Sequence, residues 1–278
     1  MKSNIPFFPY ITVFVCISAL FLFLSGNVEA TAREIDSLRS IFQETVSHLQ
    51  VTDPIYLSWM RQEVIKSFAE DVESHLAHIP QYFVFVDRNP AKQLIMVGFY
   101  HPIGDIVDVV GWDHTSTGEP SRPGHFITPT GVYEHSTSII GYRARGIRNE
   151  SGWLGIGVEG SRVWDFGWQA TPHTKGGQTW TANIRLHLHA TDPEFGEARL
   201  GRPDSKGCVR VSGAMNRFLD HFGILDADYE DNPHIASWLL DPQRETVSHP
   251  GRFMIVADSK FMKQATEYIE YANVQDEP

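Results

Sequence analysis

The sequence predicts a mostly β protein with two helices ahead of its strands. Two textures carry this. From residue 82 onward, short runs of Val, Ile, Phe, Tyr and Trp are broken by Gly, Pro, Asn and Asp, the pattern of strands joined by turns. Before that, residues 31–79 carry apolar side chains at three- and four-residue spacing, the period of a helix lying on a core. Many short strands with few long helices between them predict a mainly antiparallel core, either a sandwich or a partly closed barrel.

The elements follow in order. Lys2 precedes an apolar run from Ile11 to Leu24, and Val28-Glu29-Ala30 offers a small-x-small exit. Residues 1–30 therefore read as a secretory signal. The alternative is a membrane anchor, because 5–24 just reaches the ~20 residues needed to span a bilayer. Thr31 to Glu34 reads as a capping box, followed by Ile35, Leu38, Ile41, Phe42, Val46 and Leu49. Asp53 and Pro54 mark a second helix start, with Leu57, Met60, Val64, Ile65, Phe68, Val72 and Leu76 behind it. Residues 31–79 are thus a helical hairpin whose apolar side packs on the rest of the chain. Residues 80–278 form the remaining unit. Its expected strands lie in 82–100 (broken at 87–90), 106–112, 132–135, 162–169, 183–190 and 251–259. Lys175 to Gln178 reads as a hairpin turn. Ser212 caps a helix carrying Met215, Phe218 and Leu219, and a last helix is expected over 260–272.

The chain has 278 residues and a net charge of −11, with 42% hydrophobic and 21% charged residues. Those proportions suit a globular core. No basic cluster appears, which argues against nucleic acid as a partner. Of the two cysteines, Cys16 lies in the apolar leader and Cys208 in Arg202-Pro-Asp-Ser-Lys-Gly-Cys-Val-Arg210. An exported chain that keeps one unpaired thiol points to a reactive cysteine. A thiolate attacks carbonyls, and a free cysteine, with a pKa of about 8.5, needs a nearby base or cation to ionise near neutrality. Lys206 and Arg210 supply charge. Gly207 permits a tight turn, and the Gly207 and Cys208 amides offer an oxyanion hole. His187 and His189 are two apart on a strand, so they share a face and offer a base. A buried, inert cysteine is the bland alternative.

His189-Ala190-Thr191, Leu200-Gly201 and Ser205-Lys206-Gly207-Cys208-Val209-Arg210, with Thr128-Pro129-Thr130-Gly131 upstream, resemble the YkuD-type L,D-transpeptidase catalytic domain. The resemblance covers roughly Tyr82 to Asp258. It implies an L,D-transpeptidase-like β-sandwich and an exported, periplasmic enzyme acting on donor and acceptor stem peptides of peptidoglycan without a cofactor. It also implies roles: Cys208 as nucleophile, His189 as base, the Ala190 carbonyl orienting His189, Ser205 in the nucleophile loop, and Arg210 bracing that loop or meeting a substrate carboxylate. Acylation of Cys208 by carbapenems follows from the same likeness. Two departures stand out. Lys206 replaces the usual histidine, and Ala190 the usual glycine. They suggest a divergent branch, which brings an L-alanine-to-diaminopimelate (1,3) cross-link into view beside the diaminopimelate-to-diaminopimelate (3,3) one.

Other readings are weaker. His187 and His189 with His173 or His125 would make a metal site, but a third ligand at usual spacing is lacking. Hydrolysis by the same residues would make an L,D-carboxypeptidase. A peptidoglycan-binding module would not need both His189 and Cys208. Glu194, Glu197 and Asp204 read as solvated loop charges. Trp112, Trp153, Trp164, Trp168 and Trp180 read mostly as packing.

Overall fold

The computed structural model describes residues 29–262. Residues 1–28 of the expected signal or anchor segment, and 263–272 of the expected last helix, lie outside them, while 29 and 30 belong to a helix. Residues 29–45 form helix α1, followed by α2 (Pro54–Glu70) and the single turn α3 (Ser74–Ala77). Among the described residues nine strands follow. β1 is Gln81–Asp87, β2 Leu94–His101, β3 Ile106–His114, β4 Gly131–Glu134 and β5 Tyr142–Arg143. β6 is Arg162–Lys175, β7 Gln178–Ala190, β8 Val209–Val211 and β9 Phe253–Ala257. Helices α4 (Gly213–His221), α5 (Ala227–Asp231) and α6 (Pro233–Ala236) separate β8 from β9.

The strands form two sheets, ordered β3-β2-β1-β9-β4 and β5-β6-β7-β8. This is a sandwich rather than a barrel. Both sheets are mixed, because β1 runs parallel to β9 and β7 to β8. The main core lies between them. Val84, Val86, Val97 and Phe99 of the first sheet meet Trp164, Phe166, Leu186, Leu188 and Val209 of the second, together with Phe218 and Leu219 of α4.

β1 and β2 are buried on both faces, which explains why they read as continuous apolar runs rather than alternating ones. Ile35, Leu38 and Phe42 of α1 enter the core between the sheets. Tyr56, Trp59, Met60, Val64 and Phe68 of α2 cover the opposite face, against Phe83, Phe85, Met96 and Ile255. At about 1.5–3 kcal/mol per fully buried large apolar side chain, each helix is integral to the fold. The two helices therefore divide between separate cores instead of forming a detached pair.

Asp53 caps α2 as expected, accepting from the Ile55 and Tyr56 amides, with Pro54 in the first turn. The capping box at Thr31 does not form. The chain is already helical at 29, and Glu34 instead accepts from Tyr82 Oη at 2.9 Å and Ser248 N at 2.9 Å. Lys175 pairs with Gln178 across a turn in which Gly176 and Gly177 both have positive φ, the conformation a two-residue hairpin turn requires.

Candidate active site

β7 and β8 build the site through their alternation. Leu186, Leu188 and Val209 point into the core, so His187 and His189 project from the other face. The register pairs Leu188 with Val209 and His189 with Arg210. Cys208, just before β8, thereby falls beside His187. On the far side of β7, β6 pairs Asp165 with His187 and Val163 with His189, and β5 pairs Tyr142 with Val163. One sheet face thus gathers Tyr142, Asp165, Arg185, His187, His189, Cys208 and Arg210. A β-bulge between Asp165 and Trp168 sharpens the twist there, as bulges beside active sites do.

Cys208 is half-buried. Its Sγ–H donates to Arg185 O at 3.5 Å, and the nearby His187 amide favours negative charge on the sulfur. Among the described hydrogen bonds, none joins Sγ to either imidazole. Burial pushes the thiol pKa up, while the His187 amide and the Arg210 guanidinium pull it down less strongly. Burial thus favours the neutral thiol in the resting site, and Arg210 is the flanking cation that opposes it. Lys206 is exposed and is not among the charges that move the thiol.

His189 is buried, and its Nδ1 lies 2.7 Å from Ala190 O. A carbonyl only accepts, so Nδ1 carries the proton and Nε2 keeps its lone pair. Burial lowers the pKa of His189 to about 3, with Arg210 and His187 adding to the effect. The ring is a neutral, oriented imidazole across the physiological range. His187 sits differently. Its Nε2 lies 3.3 Å from Asp165 Oδ2 without hydrogen-bond alignment, and its ring meets Tyr142 edge-on at 5.7 Å. Burial lowers its pKa too, against the pull of Asp165.

The loop carrying Cys208 is clamped from beside β8. Ser116 exchanges both backbone hydrogen bonds with Arg210 at 3.0 Å, and Thr115 Oγ1 donates to Arg210 O. Thr128 Oγ1 donates to Gly207 O at 2.8 Å and accepts from Gly118 N at 2.9 Å. The threonine that opens Thr128-Pro-Thr-Gly131 is therefore a buried pin on this loop. Gly118 is needed here, since a Cβ on it would fall 1.9 Å from Phe126 O. Ser205 Oγ donates to Cys208 O and accepts from Gly207 N at 3.0 Å. The Gly207 amide is thus already occupied, which leaves the Cys208 amide as the remaining oxyanion donor of the expected pair.

Gly207 has φ +132°, and a Cβ there would stand 2.8 Å from Ile184 Cδ1. Gly207→Ala is expected to lower stability by about 1–3 kcal/mol. By shifting Cys208 it should also cut turnover by roughly 10²-fold. Thermal melts and kcat/KM on one preparation check both.

Asp204 is not solvated. It is buried and takes Arg122, Arg199 and Arg210 as partners. Glu197 accepts from Gly213 N at the start of α4, while Glu194 remains exposed and meets Arg148 at 3.3 Å. His173 lies in a ring contact series with Phe126 and Trp180, on the sheet face opposite His187 and His189. Among the described residues, no three His, Cys, Asp or Glu side chains converge as metal ligands.

Sequence reasoning missed Asp165, Arg185 and Tyr142. Arg185 was accessible by period, because it lies two residues before His187 on the same strand. Asp165 joins the site only through β6–β7 pairing, and it is held there by Arg185 Nη2 at 2.8 Å and Gly167 N at 2.8 Å.

No family model and no curated protein matches the chain. Among solved structures, one similar chain is a fused Zn-dependent amidase/peptidase/peptidoglycan-binding domain-containing protein from Clostridium acetobutylicum ATCC 824. It is 11% identical at TM-score 0.29, over 76% of this chain and 66% of its own. Bdellovibrio bacteriovorus Bd1075 is 14% identical at TM-score 0.28, over 69% of this chain and 56% of its own. The chain spans just under two thirds of the first and little more than half of the second. Similarity this low carries no argument about activity.

Proposed function

We propose that the protein is a peptidoglycan L,D-transpeptidase that cross-links stem peptides through a thioester on Cys208. The observation that supports this best is the shared face. It sets a half-buried thiol on a clamped loop, and on the neighbouring strand a neutral imidazole whose Nδ1 is fixed by a backbone carbonyl.

The thiol adds to the carbonyl carbon of the donor amide as its proton passes to His189 Nε2. The oxyanion is stabilised by the Cys208 amide. The C–N bond then breaks, His189 returns the proton to the leaving amine, and the thioester remains. An acceptor amine loses a proton to His189, attacks the thioester and restores the thiol. Neutral His189 serves both half-reactions, because a base is needed each time a nucleophile attacks. Export to the bacterial periplasm, with the N-terminal segment as signal or inner-membrane anchor, belongs to the same reading.

The test incubates protein from Thr31 onward, and its Cys208→Ala variant, with disaccharide-tetrapeptide and disaccharide-pentapeptide muropeptides. Cross-linked dimers made only by the unmutated protein are expected in tandem mass spectra, whose fragments distinguish 1,3 from 3,3 linkage. Shortened monomers without dimers would instead make it a carboxypeptidase. Unchanged substrate together with retained binding would make it a peptidoglycan-binding module.

A further inference from the structure

The buried carboxylate of Asp204 gathers more positive charge than it can neutralise. Its Oδ1 lies 2.6 Å from Arg122 Nη1, and its Oδ2 lies 3.2 Å from both Arg199 Nη1 and Arg210 Nη1. Three guanidinium groups therefore face a carboxylate that is 2% exposed. The other acid close to Arg122 is Glu119, which turns to the Ser121 amide at 3.0 Å and whose pKa Arg122 helps to lower. Even counting Glu119, one positive charge of this cluster is unmatched. This occurs in a chain of net charge −11, so the local sign is reversed. The other arginine on the site face, Arg185, is matched by Asp165 and offers no surplus.

Orientation adds to charge. Arg210 is largely covered, but Arg122 and Arg199 remain 44% and 31% exposed. Arg199 lies over the Trp153 ring at 5.1 Å, which holds the guanidinium by one face and leaves its N–H edge for a ligand. Planar guanidinium groups bind carboxylates through paired hydrogen bonds. Because Asp204 already fixes these side chains, little freedom is lost on binding. Arg210 both pairs with Asp204 and acts on the Cys208 thiol, so the cluster is joined to the site face through Arg210.

We propose that Arg122 and Arg199 form a subsite beside Cys208 that holds a free carboxylate of the acyl-donor peptide, an inference that rests on the thioester chemistry proposed above. The test measures alkylation of Cys208, which does not require peptide turnover. N-iodoacetyl-alanine carries the carboxylate, and N-iodoacetyl-alaninamide is its neutral counterpart. With each, a C–S bond forms, iodide leaves, and the thiol proton passes to solvent. Rates are expressed as the carboxylate-to-amide ratio, divided by the same ratio for N-acetylcysteinamide.

That normalised ratio is expected to exceed one for the unmutated protein. Arg122→Gln and Arg199→Gln should each lower it roughly threefold, and the pair together about tenfold, as loss of one or two nearby charges implies. Arg→Lys should retain most of it, and 0.5 M salt, about the concentration at which screening becomes short-ranged, should compress it. A ratio of one in the unmutated protein, or a ratio that neither Gln substitution moves, would overturn the subsite. If the Gln variants fail to fold, Arg122→Lys and the salt series on unmutated protein read the same quantity. A raised ratio with inert muropeptides would keep the anion subsite and remove the transpeptidase reading beneath it.

Discussion

His189→Ala is expected to lower kcat/KM for acyl transfer by about 10²- to 10⁴-fold, the usual contribution of a positioned general base. The resting thiol has its pKa raised by burial, and His189 has its own lowered to about 3. The two therefore rest as a neutral pair rather than as thiolate and imidazolium. Proton transfer must accompany carbon–sulfur bond formation, when negative charge developing on the oxyanion compensates the new imidazolium. Iodoacetamide alkylation makes this visible. The rate should rise with pH through an inflection above the ~8.5 of a free cysteine. His189→Ala should move that inflection far less than it moves turnover, because burial, then the His187 amide, Arg210 and Asp165, set the thiol pKa and no His189 charge acts on it. Arg210→Gln should shift it upward by removing the nearby cation. If His187→Ala cost more turnover than His189→Ala, the base would be the Asp165-linked histidine.

Asp226→Ala is expected to destabilise the fold by about 3–5 kcal/mol, the usual cost of removing one partner from a buried ion pair. Arg162 and Asp226 are both fully buried, with Nη2 3.0 Å from Oδ1. Arg162 also lies over the rings of Trp164 and Tyr229 at 5.8 and 5.2 Å. His135 stacks on Tyr229 at 4.7 Å, and burial holds its pKa far below the usual histidine value. It stays neutral, and since a histidine can add only positive charge, it could not stand in for the carboxylate in either state. Removing Asp226 would leave a guanidinium in the interior with no carboxylate. The paired change Arg162→Met with Asp226→Leu should cost much less, since it removes both charges together. Urea midpoints at constant m value test both variants. Equal loss from the single and paired changes would mean that packing, not charge, holds this corner.

Local signals made much of the fold legible. Asp53-Pro54 marked the start of α2, Lys175 to Gln178 marked the β6–β7 turn, and the alternation of Leu186, His187, Leu188 and His189 set one face against the other. The capping box at Thr31 was misleading because Glu34 finds better partners in Tyr82 and Ser248, which only tertiary structure brings near. The split of α1 and α2 between two cores was equally hidden. An apolar stripe shows that a helix packs but not on which side of a sheet.

The candidate site was legible where it is local and opaque where it is not. Cys208, Gly207 and Arg210 are neighbours in sequence. Asp204 looked like a loop charge because Arg122 comes to it from 82 residues away. Asp165 required the β6–β7 register. The occupied Gly207 amide could not be foreseen, because it depends on the Ser205 rotamer.

The most direct measurement is the intact mass of the protein, acid-quenched seconds after mixing with a tetrapeptide muropeptide and no added acceptor. The expected adduct is the acyl part of the donor: the donor minus its terminal alanine for a 3,3 linkage, or minus the whole segment after L-alanine for a 1,3 linkage. It should be carried on the peptide containing Cys208, be released by hydroxylamine and be absent from Cys208→Ala. Turnover without any such adduct, or with Cys208→Ala as active as the unmutated protein, would contradict the thioester and with it the assignment of Cys208 as nucleophile.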